Sequence, residues 1–469
     1  MTAQIKLTWT DVNTSEEGFR IYRSDSPIDT SNPPAPLVEL SPTEEGEYID
    51  DTVVHGNEYY YVISSYNTEG DEEFGQEIRV LCDEVVYAGL GNRRVGSSSG
   101  YYGKIRSDLT NSMQFIDLPG RVGAPRSVDV CPVTKNIALA AGIRLYYNYV
   151  ARIVVYDQEG NLLLDDTETG DNYRNGNTIG VMAHFSSTGD LFVSYLAYDE
   201  DDYSTDDGNY EFSILKKYTL NADQVSYTFD SSITYESYCY KMGISPDGTT
   251  VFTCDQKRNR ITKFNISDLS VIDRVGGDIY DENSNLIAQI YNPNAVAVDG
   301  NGYVFVSCGY TNEDGTNNNN NSRIIKFTSS LIPVWTVDDT IGKHTSHIMT
   351  DGTDGTIYVL KGAFETTSGD SLVEKYDTDG NLLWSSPKFP VGTAADMVIG
   401  LSGDVYVCTA AVRSNSTSNS KIYRLNPSDG TIKKEGNEGI NTRRGESQVV
   451  ASIAVDPSKQ VMAMGAREA

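Results

Sequence analysis

One short course of residues recurs seven times over the last four-fifths of this chain, and no other sequence feature constrains the fold as strongly. Each copy opens on a small-residue apolar strand and a tight turn: SVDVCPVTKN (127–136), GVMAHFSSTGD (180–190), KMGISPDGTT (241–250), NAVAVDGNGY (294–303), SHIMTDGTDGT (346–356), ADMVIGLSGD (395–404) and ASIAVDPSKQ (451–460). A second strand follows each, as in LFVSYL, VFTCDQ and VYVCTA. A loop of variable length then leads to a third strand, often ending in Lys-Phe or Lys-Tyr, and a second tight turn leads to a fourth. The third strand is also found seven times, but its first copy (102–111) precedes the first copy of the opening strand. The last opening strand (451–455) has no third strand after it. The N-terminal end of the repeat region must therefore supply outer strands to a unit whose inner strand comes from the C-terminal end. That arrangement closes a ring and removes free sheet edges. Residues 83–469 are expected to form a seven-bladed β-propeller. VVYAGLG (85–91) and VMAMGA (461–466) compete for the second-strand slot of the closing blade.

Residues 1–82 form a separate all-β region. IKLTWT (5–10) and GFRIYRS (18–24) alternate apolar and polar residues, and EYIDDTVVHGNEYYYVISSYNTEG (47–70) continues as strand, turn, strand and turn. Period-2 segments between Gly, Pro, Asn and Asp clusters mark a β-sandwich. Trp9, the GFRIYRS strand and GNEYYYVISSYNTEG, with Tyr59 at the tyrosine-corner position, resemble a fibronectin type III domain. The strand that should precede IKLTWT is missing, which leaves a sheet edge for a neighbour to cover. The blades in turn resemble NHL and YVTN-type repeats, most closely in IYNPNAVAVDGNGYVFVSCG followed by NSRIIKF (290–309, 321–327). Such a likeness implies architecture and is nearly silent on function.

The formal net charge is −29, which repels phosphate backbones and anionic lipid, so neither nucleic acid nor membrane insertion is expected. The sandwich region holds 17 acidic and 4 basic residues, and docking on a basic partner would use that excess. No stretch reaches the ~20 apolar residues of a membrane helix, and MTAQIKLTWTDVN has neither the basic nor the apolar region of a secretory signal. The six cysteines match no zinc spacing and are expected as reduced core thiols.

In a propeller the second-to-third loops and the blade connections share one face, and here those segments are long. They include 197–211, 310–322, 410–420, 165–178, 276–293 and 435–448, all rich in Tyr, Asn, Asp and Ser. Tyr173, Arg174, Tyr203, Tyr210, Tyr280, Tyr310, Asn312, Arg413 and Arg443 are the ligand-binding candidates on this face, with chemistry that suits sugar hydroxyls or a protein surface. Asp199, Asp201, Asp202, Asp206 and Asp207 are weak calcium candidates without EF-hand spacing, so no cofactor is expected. His344 and His347 in GKHTSH lack a third ligand in sequence, and His55 and His184 stand alone. No nucleophile elbow, P-loop or HExxH occurs, and no acid/base pair stands out.

A fibronectin-like module leading into a propeller resembles the structural components of tailed-bacteriophage virions. The resemblance implies a non-enzymatic tail, fibre or decoration protein, present in several copies. It would be assembled in the host cytoplasm into the virion among other virion proteins, with the small domain docked on the particle and the long-loop face on host polysaccharide, a host receptor or a neighbouring subunit. Two alternatives stand beside it: a bacterial extracellular adhesin, and a propeller hydrolase or lyase.

Overall fold

A computed structural model shows an all-β protein. The structure describes the chain apart from residues 1–3, 11–16, 43–44, 55–56, 68, 70, 83–84, 93–99, 107–113, 118–124, 146–147, 158–159, 169–177, 199–209, 224, 236–240, 257, 312–316, 340–344, 352–354, 363–370, 390–392, 401–402, 411–420, 437–447, 456–459 and 463–469. It divides into two units, Met1–Val85 together with Ser458–Ala469, and Val86–Pro457.

In the first unit two sheets enclose one core. Gln4–Thr10 pairs antiparallel with Glu45–Asp50, and Gly18–Ser24 lies between Val38–Leu40 and Glu58–Tyr66. Ile5, Leu7, Ile21, Tyr59, Tyr61 and Val80 fill the space between the sheets, as the period-2 alternation requires. Tyr59 Oη accepts the Val54 N–H at 2.8 Å, the backward bond expected of a tyrosine at this corner. Asp50 is fully buried, and its carboxylate accepts from Tyr61 Oη (2.7 Å), Arg23 (2.7 Å) and Thr52. Burial acts to raise its pKa, but these donors outweigh it and hold the carboxyl below its ordinary value. The edge of Gln4–Thr10 that the sequence leaves without a neighbour is partly covered from within the chain. Gln460–Met462 pairs with it in parallel, Ile5 opposite Val461. The start of VMAMGA thus serves the sandwich.

In the second unit seven four-stranded blades follow one another, each antiparallel from innermost to outermost strand. Their inner strands are Pro125–Val130, Thr178–Phe185, Met242–Ile244, Leu286–Val298, Thr345–Thr350, Thr393–Ile399 and Gln448–Val455, which begin blades 1 to 7. Blade 7 takes only this strand from the C-terminal end. Its outer three, Val85–Asn92, Gly100–Arg106 and Gln114–Asp117, come from the N-terminal side, with VVYAGLG in the second position. Inner strands of successive blades lie side by side, blade 7 next to blade 1. Phe192 and Leu215 of blade 2 pack on Met242, Val251 and Phe264 of blade 3, which completes the circuit.

The blades are held to each other by side chains that the repeat places in register. Lys263 donates to Ser329 O at 2.8 Å and Lys326 to Thr378 O at 2.9 Å, each reaching the outer turn of the next blade. This accounts for the Lys of the third-strand motif. The two blade tryptophans make the same kind of bond from fourth strands: Trp335 Nε1 donates to Thr378 O (2.9 Å) and Trp384 Nε1 to Pro427 O (3.0 Å). Each indole lies over a turn glycine of the next blade, Gly380 or Gly430, with φ of +87° or +72°. A Cβ on Gly430 would stand 2.4 Å from Trp384 Cε3. Gly430→Ala is expected to destabilise the protein by about 2 kcal/mol or more, through overpacking and a left-handed backbone that a side chain resists. The midpoint of chemical denaturation measures this.

Two connecting segments are more regular than their composition suggests. Residues 276–293 form most of a hairpin between blades 3 and 4, where Gly277–Tyr280 pairs with Leu286–Ile290. Asp281 Oδ1 accepts the backbone N–H groups of Asn283 and Asn285, both at 2.8 Å, and so fixes the turn. The Asn317–Asn321 run, which reads as an open insertion, starts the third strand of blade 4, with Asn317 and Asn318 opposite Thr311 and Tyr310. Backbone pairing there overrides a weak local preference.

Candidate functional site

The inner strands of blades 1 to 6 end in the same way, and this aligns the blades residue by residue. The residue after the strand donates its N–H across the turn: Cys131 to Asn136, Ser186 to Asp190, Ser245 to Thr250, Asp299 to Tyr303, Asp351 to Thr356 and Gly400 to Asp404. Counting back two residues from the residue that follows the strand gives Asp129, His184, Gly243, Ala297, Met349, Val398 and Ala454. Counting back four gives Ser127, Met182, Lys241, Ala295, His347, Asp396 and Ser452. Residues two apart on a strand face the same side, about 6–7 Å from each other along it. In six inner strands the register shifts just before the second of these positions, at Ser127, Met182, Ala295, His347, Asp396 and Ser452. A bulge of this kind re-aims side chains at the end of a strand.

Two groups of charged side chains result. In the first, Lys241 reaches from blade 3 to blades 5 and 6. Its ammonium stands 3.3 Å from Asp396 Oδ1 and 3.1 Å from His347 Nδ1. Blade 4 offers only the small Ala295 at the equivalent position. His347 Nδ1 closely contacts Asp396 Oδ1, and Asp396 Oδ2 accepts the Ile453 N–H from blade 7 at 3.3 Å. In the second group, His184 Nδ1 lies 2.8 Å from Asp129 Oδ2. The same carboxylate accepts the N–H groups of Phe185 (2.8 Å) and Val130 (2.9 Å). Ser127 Oγ accepts from Ala183 N in the same way (3.2 Å). Inner strands have one edge without a ladder partner, and side chains of the preceding blade satisfy its N–H groups. Asp129 and Asp396 each do this and still present a carboxylate to a histidine.

Position and charge act on the two histidines in opposite directions. Burial works against the charged form of His347, the Lys241 ammonium adds to this, and Asp396 does not make up the difference. Its pKa falls below the ordinary value, which favours the neutral ring. Burial also works against protonated His184, but Asp129 outweighs it and raises the pKa. With Nδ1–H directed to Asp396, neutral His347 carries its lone pair on Nε2, the tautomer of a general base. Cys408 lies opposite Asp396 on the second strand. Burial pushes its thiol well above the usual range, so it does not act as a thiolate. Burial likewise pushes the Cys308 thiol up to about 12. The five described cysteines are buried, and none of them forms a disulfide among the described residues.

An inner strand starts at the blade connections and ends at the first-to-second turn. Lys241, His347 and Asp396 therefore stand nearer the face with the long loops, and Asp129 and His184 one step deeper. The ligand-binding candidates read from those loops are mostly not brought into view. Tyr173, Arg174, Tyr203, Asn312, Arg413 and Arg443 lie outside the described residues, as do Asp199, Asp201, Asp202, Asp206 and Asp207. Tyr210 and Tyr310 fall within strands of blades 2 and 4. Tyr280 lies on the hairpin between blades 3 and 4, exposed, with its hydroxyl 3.3 Å from Asp278. His184 reads as solitary and His347 as one of a GKHTSH pair because their partners lie 55 and 49 residues away. Aligning the seven opening strands as columns would have revealed them, since charged residues and histidines fall in two columns that hold small or apolar residues in the other blades.

No family model matches the sequence, and no curated protein matches it. Solved structures do match in fold. One is a protein of Bacteroides uniformis whose name reads "putative 6-phosphogluconolactonase", with a TM-score of 0.54 and 12% identity, over 80% of this chain and 99% of that one. Another, of Bacteroides fragilis and with the same wording, has a TM-score of 0.50 and 13% identity, over 80% of this chain and 98% of that one. The chain thus shares the β-propeller fold of these two proteins. The expectation of a non-enzymatic chain is corrected on this point, because two propellers of the same fold bear an enzyme's name. It arose because the histidines and their charged partners are dispersed over five blades and show no local motif. The comparisons add nothing to the fibronectin or bacteriophage resemblance.

Proposed function

We propose that the protein is a hydrolase of lactones or related carboxylic esters, with its site on the propeller axis. The observation that carries this reading is the Asp396–His347 pair with Lys241 beside it. His347 Nε2 takes a proton from water, and the water oxygen attacks the carbonyl carbon. Asp396 holds the ring in the required tautomer and stabilises the imidazolium that forms. The Lys241 ammonium offsets negative charge that develops on the carbonyl oxygen. The names of the two Bacteroides propellers support a lactone as the substrate.

The test is a panel of sugar lactones, aliphatic lactones and simple esters, offered to the full-length protein with proton release followed. Turnover of at least one member, lost in His347→Gln, is the expected result. A panel with no hydrolysis above the uncatalysed rate would sink the reading.

A further inference from the structure

The base of the proposed reaction leaves one histidine–carboxylate pair without a role. We propose that His184, held by Asp129, is the general acid of the same site and delivers a proton to the departing oxygen. The proposal rests on the hydrolase reading and extends it.

Three observations support it. His184 and His347 occupy the two inward columns, one step apart along the axis. Each has its Nδ1 against a carboxylate, His184 at 2.8 Å from Asp129 Oδ2 and His347 in close contact with Asp396 Oδ1. Both ring orientations are therefore set by an acid, and Nε2 is the atom left for chemistry. The charges are also linked: His184 disfavours protonation of His347, and Lys241 disfavours protonation of both. The groups acting on His184 are Asp129 and Lys241, and those acting on His347 are Lys241, Asp396 and His184. Their balance separates the rings, protonated His184 and neutral His347 being favoured. Two titratable groups driven apart within one site are what an acid/base division requires.

The step balances. Water gives a proton to His347 Nε2 and its oxygen bonds to the carbonyl carbon. The bond from that carbon to the ring or alkyl oxygen breaks, and the oxygen takes the proton of His184 Nε2. A carboxylic acid and an alcohol result. Exchange with solvent then returns a proton to His184 and removes one from His347.

The sign of the pH dependence follows. His347 must be neutral, so the rate falls as pH drops through its lowered pKa. His184 must be protonated, so the rate falls as pH rises through its raised one. A bell-shaped profile results. The experiment compares wild type, His184→Gln and Asp129→Asn on an alkyl lactone and on 4-nitrophenyl acetate, whose leaving group needs no proton. His184→Gln should slow lactone opening by about a hundred- to ten-thousand-fold and erase the alkaline limb. It should leave 4-nitrophenyl acetate hydrolysis near the wild-type rate. Asp129→Asn should move the alkaline limb to lower pH and leave the acid limb in place. It should also move the His184 titration seen by proton NMR, which is tractable because the chain has 4 histidines. Thermal melts check that each variant is folded. Equal slowing of both substrates in His184→Gln, or an alkaline limb that persists there, would overturn the acid role while the hydrolase reading stands. A wild-type protein inert to both substrates overturns the two together.

Discussion

Asp396→Asn is expected to reduce hydrolysis by about a hundred- to ten-thousand-fold while the protein stays folded. The two carboxylate oxygens have different duties, which is why the effect should separate activity from stability. Oδ2 accepts the Ile453 N–H at 3.3 Å, and the carbonyl oxygen of an asparagine can keep that bond. Its NH2 group then faces His347 Nδ1, which must accept rather than donate. The ring proton moves to Nε2, the position that has to be vacant to take a proton from water. The negative charge beside Lys241 is lost as well, so protonated His347 becomes still less favourable. Two measurements bear on this: the rate on the best substrate of the panel, and the His347 tautomer by nitrogen NMR. Wild-type activity in Asp396→Asn would remove the base from the mechanism.

The second large effect is on stability and concerns blade 5. Lys361 and Glu374 are both about 1% exposed and form a close ion pair. Tyr376 Oη donates to Glu374 Oε2 at 2.6 Å, Ser385 Oγ contacts Oε1 at 3.2 Å, and Lys361 Nζ lies 3.2 Å from Tyr376 Oη. Lys361→Met leaves a carboxylate buried without its counter-charge, and a loss of about 3–5 kcal/mol is expected. The double variant Lys361→Met with Glu374→Leu removes both charges and should recover most of that loss, since an apolar pair of similar volume is often as stable. Denaturant titration of the three proteins decides. A double variant no more stable than the single one would mean that packing, not desolvation, dominates at this site.

How much was legible in the sequence depended on whether the signal was local or spread around the ring. Alternation of apolar and polar residues with turn residues between them marked the strands, because a strand needs only its own residues to show period 2. The offset between the first opening strand and the first third strand implied a closing blade shared by both ends, and Gln448–Val455 beside Val85–Asn92 is that blade. What filled its second position was not legible, since VVYAGLG and VMAMGA have the same local pattern. Non-local pairing decided, and Gln460–Met462 went to the edge of Gln4–Thr10. The Asn317–Asn321 run was read from its composition alone, and its strand conformation depends on Thr311 and Tyr310 opposite.

The seven-copy repeat by itself determined that the chain closes into a ring of blades, for no other arrangement covers the edges of so many equal sheets. It also determined which turns carry glycine and which strands line the axis. Only the tertiary structure decided what the axis carries. Asp129 and His184 come from adjacent blades, while Lys241, His347 and Asp396 come from blades 3, 5 and 6. Within one strand each of these residues is a single polar position among small ones, with nothing local to mark it as chemistry. Ring closure brings strands far apart in sequence around one axis, and there one lysine and two carboxylates become neighbours of two histidines and act on their charge.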